Sequence, residues 1–259
     1  MKARGQNIAI VTLIIGNDPA GISYALGQQR SAQSVGIDYQ LQKLSDDSTQ
    51  DQVLGVIEAL NNNAHVNGIM VNKPLPSHID FKTLVNAIAP DKDIEGMSLN
   101  NLGRLFIGKS HLIPCTAAAA MAHLYSIGMD LKGKEAVVIG RSEIVGKPLA
   151  LLLLGENITT TICHSATSKA GRLDDHIKRA DILIAAIGQP SFVKGDWIKP
   201  GAVVIDVGIN YVDGKLTGDV DFDSVKEKAG YITPVPGGVG PVTSVMLMHN
   251  AFEAYKCQR

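Results

Sequence analysis

The chain has 259 residues, which is long enough for one large domain or two small ones. Lys plus Arg number 24 and Asp plus Glu number 25, so the formal net charge of -1 lacks the basic surplus of a nucleic-acid-binding domain. Aromatic residues make up only 5% of the chain, which also disfavours a platform for stacking bases. The three cysteines, Cys115, Cys163 and Cys257, are widely spaced and form neither a disulfide framework nor a zinc pattern, as is typical of a cytoplasmic protein.

The first residues resemble a signal peptide, because the basic segment Met1–Gln6 precedes the apolar run Ile8–Ile15. Turn residues at 16–19 close that run, and no small-residue cleavage site follows closely, so the sequence favours a buried strand over a targeting segment. The longest apolar run, Leu149–Leu154, is far shorter than the roughly 20 residues that cross a bilayer. We therefore expect no membrane partner.

Short apolar runs alternate with helical periodicity from the N-terminus onward, which predicts an α/β fold with parallel strands. The predicted strands are Ile8–Ile15, Tyr39–Lys43 and Gly68–Val71, and the predicted helices are Gly21–Val35, Thr49–Asn61 and Phe81–Ile88. Ser48 is expected to cap the second helix. Residues 89–115 break the rhythm with turn-like sequence and predict a long loop.

The alternation resumes after a predicted Ala-rich helix, Thr116–Ile127. The later predicted strands are Ala136–Ile139, Thr159–Cys163, Ile182–Ala186 and Val203–Val207, and the helices are Val145–Leu154, Asp174–Ala180 and Val242–Tyr255. We expect two α/β domains, one of residues 1–117 plus 242–259 and one of residues 118–241.

The second domain begins with a strand, a glycine turn and an apolar helix, which is the context of a dinucleotide site. Gly140 would allow the tight turn, and Gly146 would bring the helix start close to the strand, where free N–H groups face a pyrophosphate. Ser142 replaces the middle glycine of the usual G-x-G-x-x-G pattern. The context favours a nucleotide site over an ordinary strand-to-helix turn.

The next strand indicates which nucleotide. An NAD site usually has an acidic residue about 20 positions after the first glycine, whereas here Thr159–Cys163 leads into His164 and Ser165. A 2′-phosphate would meet the hydroxyl of Ser165 and the guanidinium of Arg141. NADP is therefore predicted, and His164 is given no catalytic role.

Three later loops complete the expected site. Gly188 and Ile209 follow two predicted strands, at the ends where open α/β sheets bind ligands. The segment 234–243 contains three prolines and three glycines, which fix the chain and allow close approach of the backbone. We interpret this segment as a wall facing the ligand.

These motifs together resemble the methylene-tetrahydrofolate dehydrogenase/cyclohydrolase family over nearly the whole chain. The matching segments, in the family's order, are 16–20, 74–76, 91–93, 103–105, 114–116, 140–148, 163–165, 206–210 and 234–243. The resemblance implies an N-terminal substrate domain and a Rossmann-type NADP-binding domain with a cleft between them, a folate-type substrate, a homodimer and no metal.

The resemblance also implies roles for individual residues. Those implied for cofactor binding are Gly140, Arg141, Ser142, Ile144, Ser165, Gly188, Ile209 and Thr243. Those implied for substrate binding are Tyr24, Val71, Asn72, Lys73, Glu95, Pro236, Gly237 and Gly238. Those implied for catalysis are Tyr24, Gln28, Asn72 and Glu95.

Departures from the family pattern are concentrated in the N-terminal part of the chain, where the resemblance places the folate-type substrate. The family's Tyr-x-x-x-Lys is Tyr24 followed by Gln28, which still share one helix face. Other family residues are also replaced: serine by Gly21, glutamine by Asn72, leucine by Lys73, aspartate by Glu95, and Pro-x-Gly by Ala117, Ala118 and Ala119.

In the family the lysine is linked to hydrolysis of the methenyl product, which needs proton transfer, whereas hydride transfer to nicotinamide does not. Glutamine cannot exchange a proton near neutral pH. We therefore expect a dehydrogenase whose cyclohydrolase activity is lost or weak.

Several alternatives stay open at this stage. Asn72 and Glu95 could be compensating changes of length, and Lys73 could return the missing ammonium from another element. A paralogue with a different substrate and a catalytically silent NADP-binding protein fit the same motifs.

Overall fold

The computed structural model describes residues 8–259, so the basic segment 1–6 and the start of the predicted first domain lie outside the described residues. The chain forms two compact units. One unit ends at Cys115 and also takes in Ser244–Arg259, and the other is Thr116–Thr243.

The first unit is built on a three-stranded parallel sheet in the order β2-β1-β3. Its strands are β1 (Ala9–Ile15), β2 (Asp38–Leu44) and β3 (Gly68–Val71), and its helices are α1 (Pro19–Ser34), α2 (Gln50–Asn62), α3 (Phe81–Ala87) and α4 (Leu99–Phe106). Because β2 and β3 flank β1 on opposite sides, the carboxyl end of β1 is the switch point where open α/β sheets bind ligands.

The cap of α2 differs from the prediction. Thr49 Oγ1 accepts a hydrogen bond from the backbone N–H of Gln52, and the Gln52 side chain accepts from the N–H of Thr49. This reciprocal capping box needs a glutamine or glutamate three residues after the cap, a position that Gln52 occupies relative to Thr49. The prediction of Ser48 as the cap was therefore wrong by one residue.

The predicted loop over residues 89–115 contains a helix, α4, so that part of the prediction was wrong. Ser98 caps α4 by accepting from the N–H of Asn101. The buried carboxylate of Asp93 then accepts from the N–H of Ser98, at 2.8 Å, and from the Asn101 side chain, at 2.9 Å. These polar contacts fix the start of a helix of only eight residues, which is too short to stand out by periodicity within a turn-like stretch.

The second unit contains a five-stranded parallel sheet in the order β10-β7-β6-β4-β5. Its strands are β4 (Glu135–Ile139), β5 (Thr159–Cys163), β6 (Ile182–Ala185), β7 (Val203–Asp206) and β10 (Tyr231–Ile232). Its helices are α5 (Cys115–Ile127), α6 (Gly146–Gly155), α7 (Ser165–Lys169), α8 (Leu173–Arg179) and α9 (Phe222–Lys226). The order places the switch point at the end of β4, since β5 and β6 lie on its two sides.

Several short elements were not predicted. They are α7, α9, β10, a 3₁₀ turn at Gly195–Trp197, and an antiparallel hairpin of β8 (Asn210–Val212) and β9 (Lys215–Thr217). Each has five residues or fewer, which is too short for a periodic pattern to show.

The last helix, α10 (Val239–Cys257), begins in the second unit and ends in the first. Its buried residues Leu247, Met248 and Ala251 join a hydrophobic cluster with Ile10 of β1. Across residues 8–259, none of the helices has the length and apolar character needed to cross a bilayer.

Candidate substrate and cofactor sites

The predicted substrate residues of the first unit lie around the carboxyl ends of β1 and β3. Asn72 directly follows β3, and its backbone N–H donates to the carbonyl of Leu13 in β1. The Asn72 side chain is only 6% exposed, and its Nδ2 donates to the carbonyl of Gly21 at 2.9 Å. The Asn72 side chain, at the position of the family's glutamine, therefore connects the end of β3 to the first turn of α1.

Gly21 is packed tightly against the same segment. A Cβ atom at this position would lie 2.9 Å from the carbonyl oxygen of Lys73 and 3.0 Å from Nδ2 of Asn72. The N–H of Gly21 is also bound, since it donates to the capping carboxylate of Asp18 at 2.6 Å. The family's serine would not fit here without movement of the neighbouring chain, so the changes at positions 21 and 72 belong together.

Gln28 lies within a buried chain of hydrogen bonds. Its side chain is 2% exposed, and its Oε1 accepts from the hydroxyl of Tyr39 at 2.9 Å. The Tyr39 hydroxyl in turn accepts from Oγ1 of Thr12 at 2.8 Å, and the Gln28 amide nitrogen lies 3.8 Å from the sulfur of Met70. The position that carries the family's lysine thus holds a neutral amide in a fixed orientation.

Tyr24 lies one turn before Gln28 on α1 and keeps 51% of its surface exposed. Burial of its hydroxyl raises the pKa of Tyr24, the negative charge of Glu95 raises it further, and a hydrogen bond with Gln28 opposes both. The Tyr24 hydroxyl therefore lies close to both Gln28 and Glu95, while about half of the residue's surface stays exposed.

Glu95 lies at the same end of the sheet. Asp93 forms a parallel bridge to Ile69 of β3, and Glu95 lies in the turn that follows, which is closed by a hydrogen bond from the N–H of Gly96 to the carbonyl of Asp93. Burial raises the pKa of the Glu95 carboxyl to about 8, with Asp93 adding to the shift and Lys73 opposing it. Glu95 is therefore mostly a neutral carboxylic acid at pH 7, able to donate as well as accept a hydrogen bond.

Two further predicted substrate residues have well-defined surroundings. The side chain of Val71 is buried in the hydrophobic cluster between the sheet and helices α2 and α3. Only its backbone is therefore available at the end of β3. Lys73 is exposed, and its Nζ lies 3.6 Å from the centre of the Phe81 ring, in a cation–π contact. The Lys73 ammonium does not replace the family's lysine in the hydrogen-bond chain of Gln28.

In the second unit, the glycine turn after β4 is packed backbone to backbone. Gly140 has φ +123, and a Cβ there would lie 2.2 Å from the carbonyl oxygen of Ala186, at the end of β6. A Cβ on Gly146 would lie 2.2 Å from the carbonyl oxygen of Gly140. Both positions require glycine, which brings the start of α6 to the switch point.

Other predicted cofactor residues surround this turn. Arg141, Ser142 and Ile144 are exposed on it, and Ser142 Oγ accepts from the N–H of Val145 at 3.1 Å. Ser165 is exposed at the first position of α7. The preceding His164 caps α7, because its Nδ1 accepts from the N–H of Ala166 at 3.3 Å.

The segment rich in proline and glycine lines a cavity of about 180 Å³. Its walls are Asp206, Val207, Gly208, Ile209, Leu216 and residues 234–241, so that Pro236, Gly237 and Gly238 all contribute. The cavity is smaller than the roughly 300–1,000 Å³ of a whole ligand pocket, so it can hold only part of a ligand. Thr243 donates from Oγ1 to the carbonyl of Val239 in its own helix.

The sequence analysis did not single out Asp219, which is fully buried in the second unit. Its carboxylate accepts hydrogen bonds from the backbone N–H groups of Ile187, Gly188 and Gln189. The Gly218-Asp219-Val220 run that carries it lies in no predicted element, and nothing in the spacing of the chain connects it to residue 188. No group of His, Cys, Asp and Glu side chains suited to a metal ion occurs within residues 8–259.

The parallel sheet, the glycine turn at its switch point and the exposed cation beside it define a dinucleotide-binding domain of the oxidoreductase type. Family comparison gives the particular assignment. Residues 1–95 match the catalytic domain of tetrahydrofolate dehydrogenase/cyclohydrolase, and residues 114–259 match the NAD(P)-binding domain of the same family. The chain belongs to this family, as the sequence motifs predicted.

Individual relatives cover nearly the whole chain. The bifunctional protein FolD of Bacillus pumilus is 46% identical over 99% of this chain and 90% of its own length. The crystal structure of a FolD methylenetetrahydrofolate dehydrogenase/cyclohydrolase from Campylobacter jejuni superposes with a TM-score of 0.96 at 38% identity, covering 100% of this chain and 91% of that one. The Trypanosoma brucei enzyme, solved with NADP and an inhibitor, has a TM-score of 0.92 at 38% identity and covers 99% and 89%.

Proposed function

We propose that this protein is an NADP-dependent dehydrogenase of methylene-tetrahydrofolate whose cyclohydrolase activity is lost or weak. Family membership supports the dehydrogenase. The observation that carries the second part is the buried, neutral amide of Gln28, bound to Tyr39, at the position of the family's lysine.

The oxidation requires little of the protein beyond orientation. The methylene carbon lies between two nitrogens, so a nitrogen lone pair can expel hydride to the nicotinamide and leave a stabilised amidinium. No side chain has to take a proton in this step, and holding the two rings in line supplies most of the catalysis. Tyr24, which keeps about half of its surface exposed, is proposed to stack on the substrate.

The hydrolysis is different, because water must add to the amidinium carbon and a proton must leave it. A positioned acid or base typically contributes about 10²–10⁴-fold to such a step. Gln28 has no titratable proton, and its carbonyl is already engaged by Tyr39. The names of the bifunctional relatives would extend both activities to this chain, and our proposal departs from them at this one step.

Glu95 is proposed to hold the pterin ring. Its pKa of about 8 leaves the carboxyl protonated at neutral pH, so it can donate to a ring nitrogen and accept from an amino group at once. Asn72, Lys73 and the backbone of Val71 would border the same site. Pro236, Gly237 and Gly238 are proposed as substrate-binding residues from the family resemblance.

NADP is proposed over NAD because the β5 end offers no carboxylate for a ribose 2′-OH. The exposed Arg141 and Ser165 suit a 2′-phosphate, and Gly140, Ser142, Ile144, Gly188, Ile209 and Thr243 would complete the cofactor site. A homodimer in the reducing cytoplasm is proposed from the family resemblance and from the three free cysteines.

Two rate measurements test this proposal. The first follows NADPH formation from methylene-tetrahydrofolate, and the second follows hydrolysis of methenyl-tetrahydrofolate added without cofactor. NADPH formation with methenyl hydrolysis at the uncatalysed rate supports both parts. Fast methenyl hydrolysis would show that Gln28 has not disabled the cyclohydrolase.

A second candidate function is an NADP oxidoreductase with a different small substrate. The contact between Gly21 and Asn72 favours it, because both positions differ from the family and together reshape the strand end. Tight NADP binding without turnover of methylene-tetrahydrofolate would select this candidate.

A further inference from the structure

We propose that Asp219 is a positioning residue for the cofactor, acting by holding together the two loops that carry Gly188 and Ile209. This inference rests on the proposed NADP site. It assigns a role to a buried carboxylate that would touch neither the nicotinamide nor the substrate.

The first loop follows β6 and is held entirely through its backbone. Asp219 Oδ2 accepts from the N–H of Ile187 at 2.6 Å and of Gly188 at 3.0 Å, and Oδ1 accepts from the N–H of Gln189 at 2.8 Å. Three consecutive N–H groups therefore converge on one carboxylate. Hydrogen bonds to an ionised acceptor are among the strongest in proteins, so this loop has one preferred conformation.

The second loop follows β7 and is held by the same side chain. Asp219 Oδ1 also accepts from Nδ2 of Asn210 at 2.9 Å. A Cβ added to Gly208 would lie 2.2 Å from the carboxyl carbon of Asp219, so the second loop packs directly on the carboxylate. One side chain thus fixes the relative position of two loops that are otherwise on different strands.

Asp219 is itself held from behind. Its backbone N–H donates to Oδ1 of Asp206 at 3.0 Å, and Asp206 also accepts from the N–H groups of Gly208 and Val220. No Lys or Arg among the described residues forms a salt bridge with Asp219, so its negative charge is balanced by N–H groups alone. A neutral amide in its place would keep only one of the two acceptor oxygens.

The loops also connect to the glycine turn. Ala186 directly precedes the first loop, and its carbonyl oxygen would lie 2.2 Å from a Cβ atom added to Gly140. The conformation of the first loop is therefore linked to the glycine turn at Gly140, which is proposed to bind the pyrophosphate. Loss of the Asp219 carboxylate should lower the fraction of molecules with a competent cofactor site, and the apparent affinity falls by that fraction.

The variant Asp219→Asn tests the inference in the full-length protein. Asparagine has the same shape but presents an NH₂ group to one pair of donors, so at least two hydrogen bonds are lost whichever way the amide points. We expect the NADP Kd, measured by calorimetry, to rise at least about tenfold. The KM for NADP should rise similarly while kcat changes less, because bound NADP selects the ordered loops.

Hydrogen exchange supplies a direct readout that simple destabilisation would not reproduce. The amides of residues 187–189 should exchange faster in Asp219→Asn, and saturating NADP should restore much of their protection. Leu124→Ala is the matched control, since it truncates a buried side chain of α5 in the same unit that lies outside the cluster on which Ile187 packs. It should lower stability and leave both the Kd and the loop exchange unchanged.

Asn210→Ala is a second variant for the case in which Asp219→Asn does not fold. It removes one donor and leaves the three backbone hydrogen bonds, so the NADP Kd should rise about two- to tenfold. If the wild-type protein fails to bind NADP, both the proposed function and this inference fall. If the wild type binds NADP and either loop variant binds it with the wild-type Kd, only the role of Asp219 is overturned.

Discussion

The hydroxyl of Tyr39 donates a 2.9 Å hydrogen bond to Oε1 of Gln28, and this bond determines what the residue at position 28 can do. The amide oxygen already accepts this bond from Tyr39, and the amide nitrogen, 3.8 Å from the sulfur of Met70, is the group with which Gln28 donates. A donor that cannot titrate can orient a substrate but cannot exchange a proton with it.

Gln28→Lys should therefore increase methenyl hydrolysis, by about 10²-fold or more if the rest of the pocket is competent. Burial lowers the pKa of a lysine toward neutrality, which suits it to proton transfer. Dehydrogenase activity should change less, since hydride transfer does not use that proton. The assay is the rate of methenyl-tetrahydrofolate hydrolysis over the uncatalysed rate.

Gln28→Met is the matched control for that experiment, because it has a similar length and no titratable group. Its hydrolysis rate should remain at the uncatalysed level. The double change Gln28→Lys with Asn72→Gln tests whether the Gly21 contact limits the gain. Hydrolysis at background in both lysine variants, with NADP still bound, would point to a different substrate.

Tyr39→Phe should lower the free energy of unfolding by about 1–3 kcal/mol. The change leaves the buried Gln28 carbonyl without its donor and Thr12 without its acceptor. Urea unfolding of the two proteins measures the difference. Tyr211→Phe, whose side chain is exposed on β8, should change stability by less than about 0.5 kcal/mol; equal effects of the two changes would contradict the buried network.

Glu95 should make stability fall as pH rises. Its pKa is raised from 4.5 to about 8 in the folded protein, so between these values the folded state holds a proton that the unfolded state has released. This contribution is fully present below pH 4.5 and is lost as pH rises through about 8, with a slope of at most about 1.4 kcal/mol per pH unit.

The variant Glu95→Gln should remove that part of the slope, because its side chain stays neutral throughout. Urea unfolding at several pH values between 5 and 8 compares it with the wild type. Glu58→Gln, at an exposed position on α2, is the control and should keep the wild-type slope. A Glu95→Gln profile parallel to that of the wild type would show that the carboxyl is ionised in the folded protein.

Arg141→Ala should raise the Kd for NADP at least about tenfold and leave the Kd for NAD nearly unchanged, because only NADP carries the 2′-phosphate. Calorimetry with each nucleotide measures this selectivity. Lys147→Ala is the control, since Lys147 lies in the first turn of α6 and its Nζ is 3.8 Å from Oε1 of Glu143. Equal losses for both nucleotides in Arg141→Ala would remove Arg141 from the phosphate site.

The parallel sheets and most helices could be predicted from the sequence because their apolar periodicity is strong. Strands such as Gly68–Val71 and Thr159–Cys163 matched residue for residue. Helix α4 was missed because it has only eight residues and follows a polar, turn-like stretch, from which Ser98 and Asp93 fix its start.

The candidate site was predictable where backbone geometry requires one residue type, as at Gly140 and Gly146. It was not predictable where distant segments meet. The contact of Asn72 with Gly21 spans 51 residues, and Asp219 reaches Gly188 across 31. Pairing of this kind is set by the folded sheet, so a single sequence carries no local signal for it.

The most direct test of the central claim is one reaction of the purified protein with NADP and methylene-tetrahydrofolate, in which NADPH and the methenyl product are followed together. We predict that NADPH forms and that methenyl-tetrahydrofolate accumulates in equal amount, disappearing only at its uncatalysed rate of hydrolysis. NADPH formation without accumulation of the methenyl product would show an active cyclohydrolase and contradict the role assigned to Gln28.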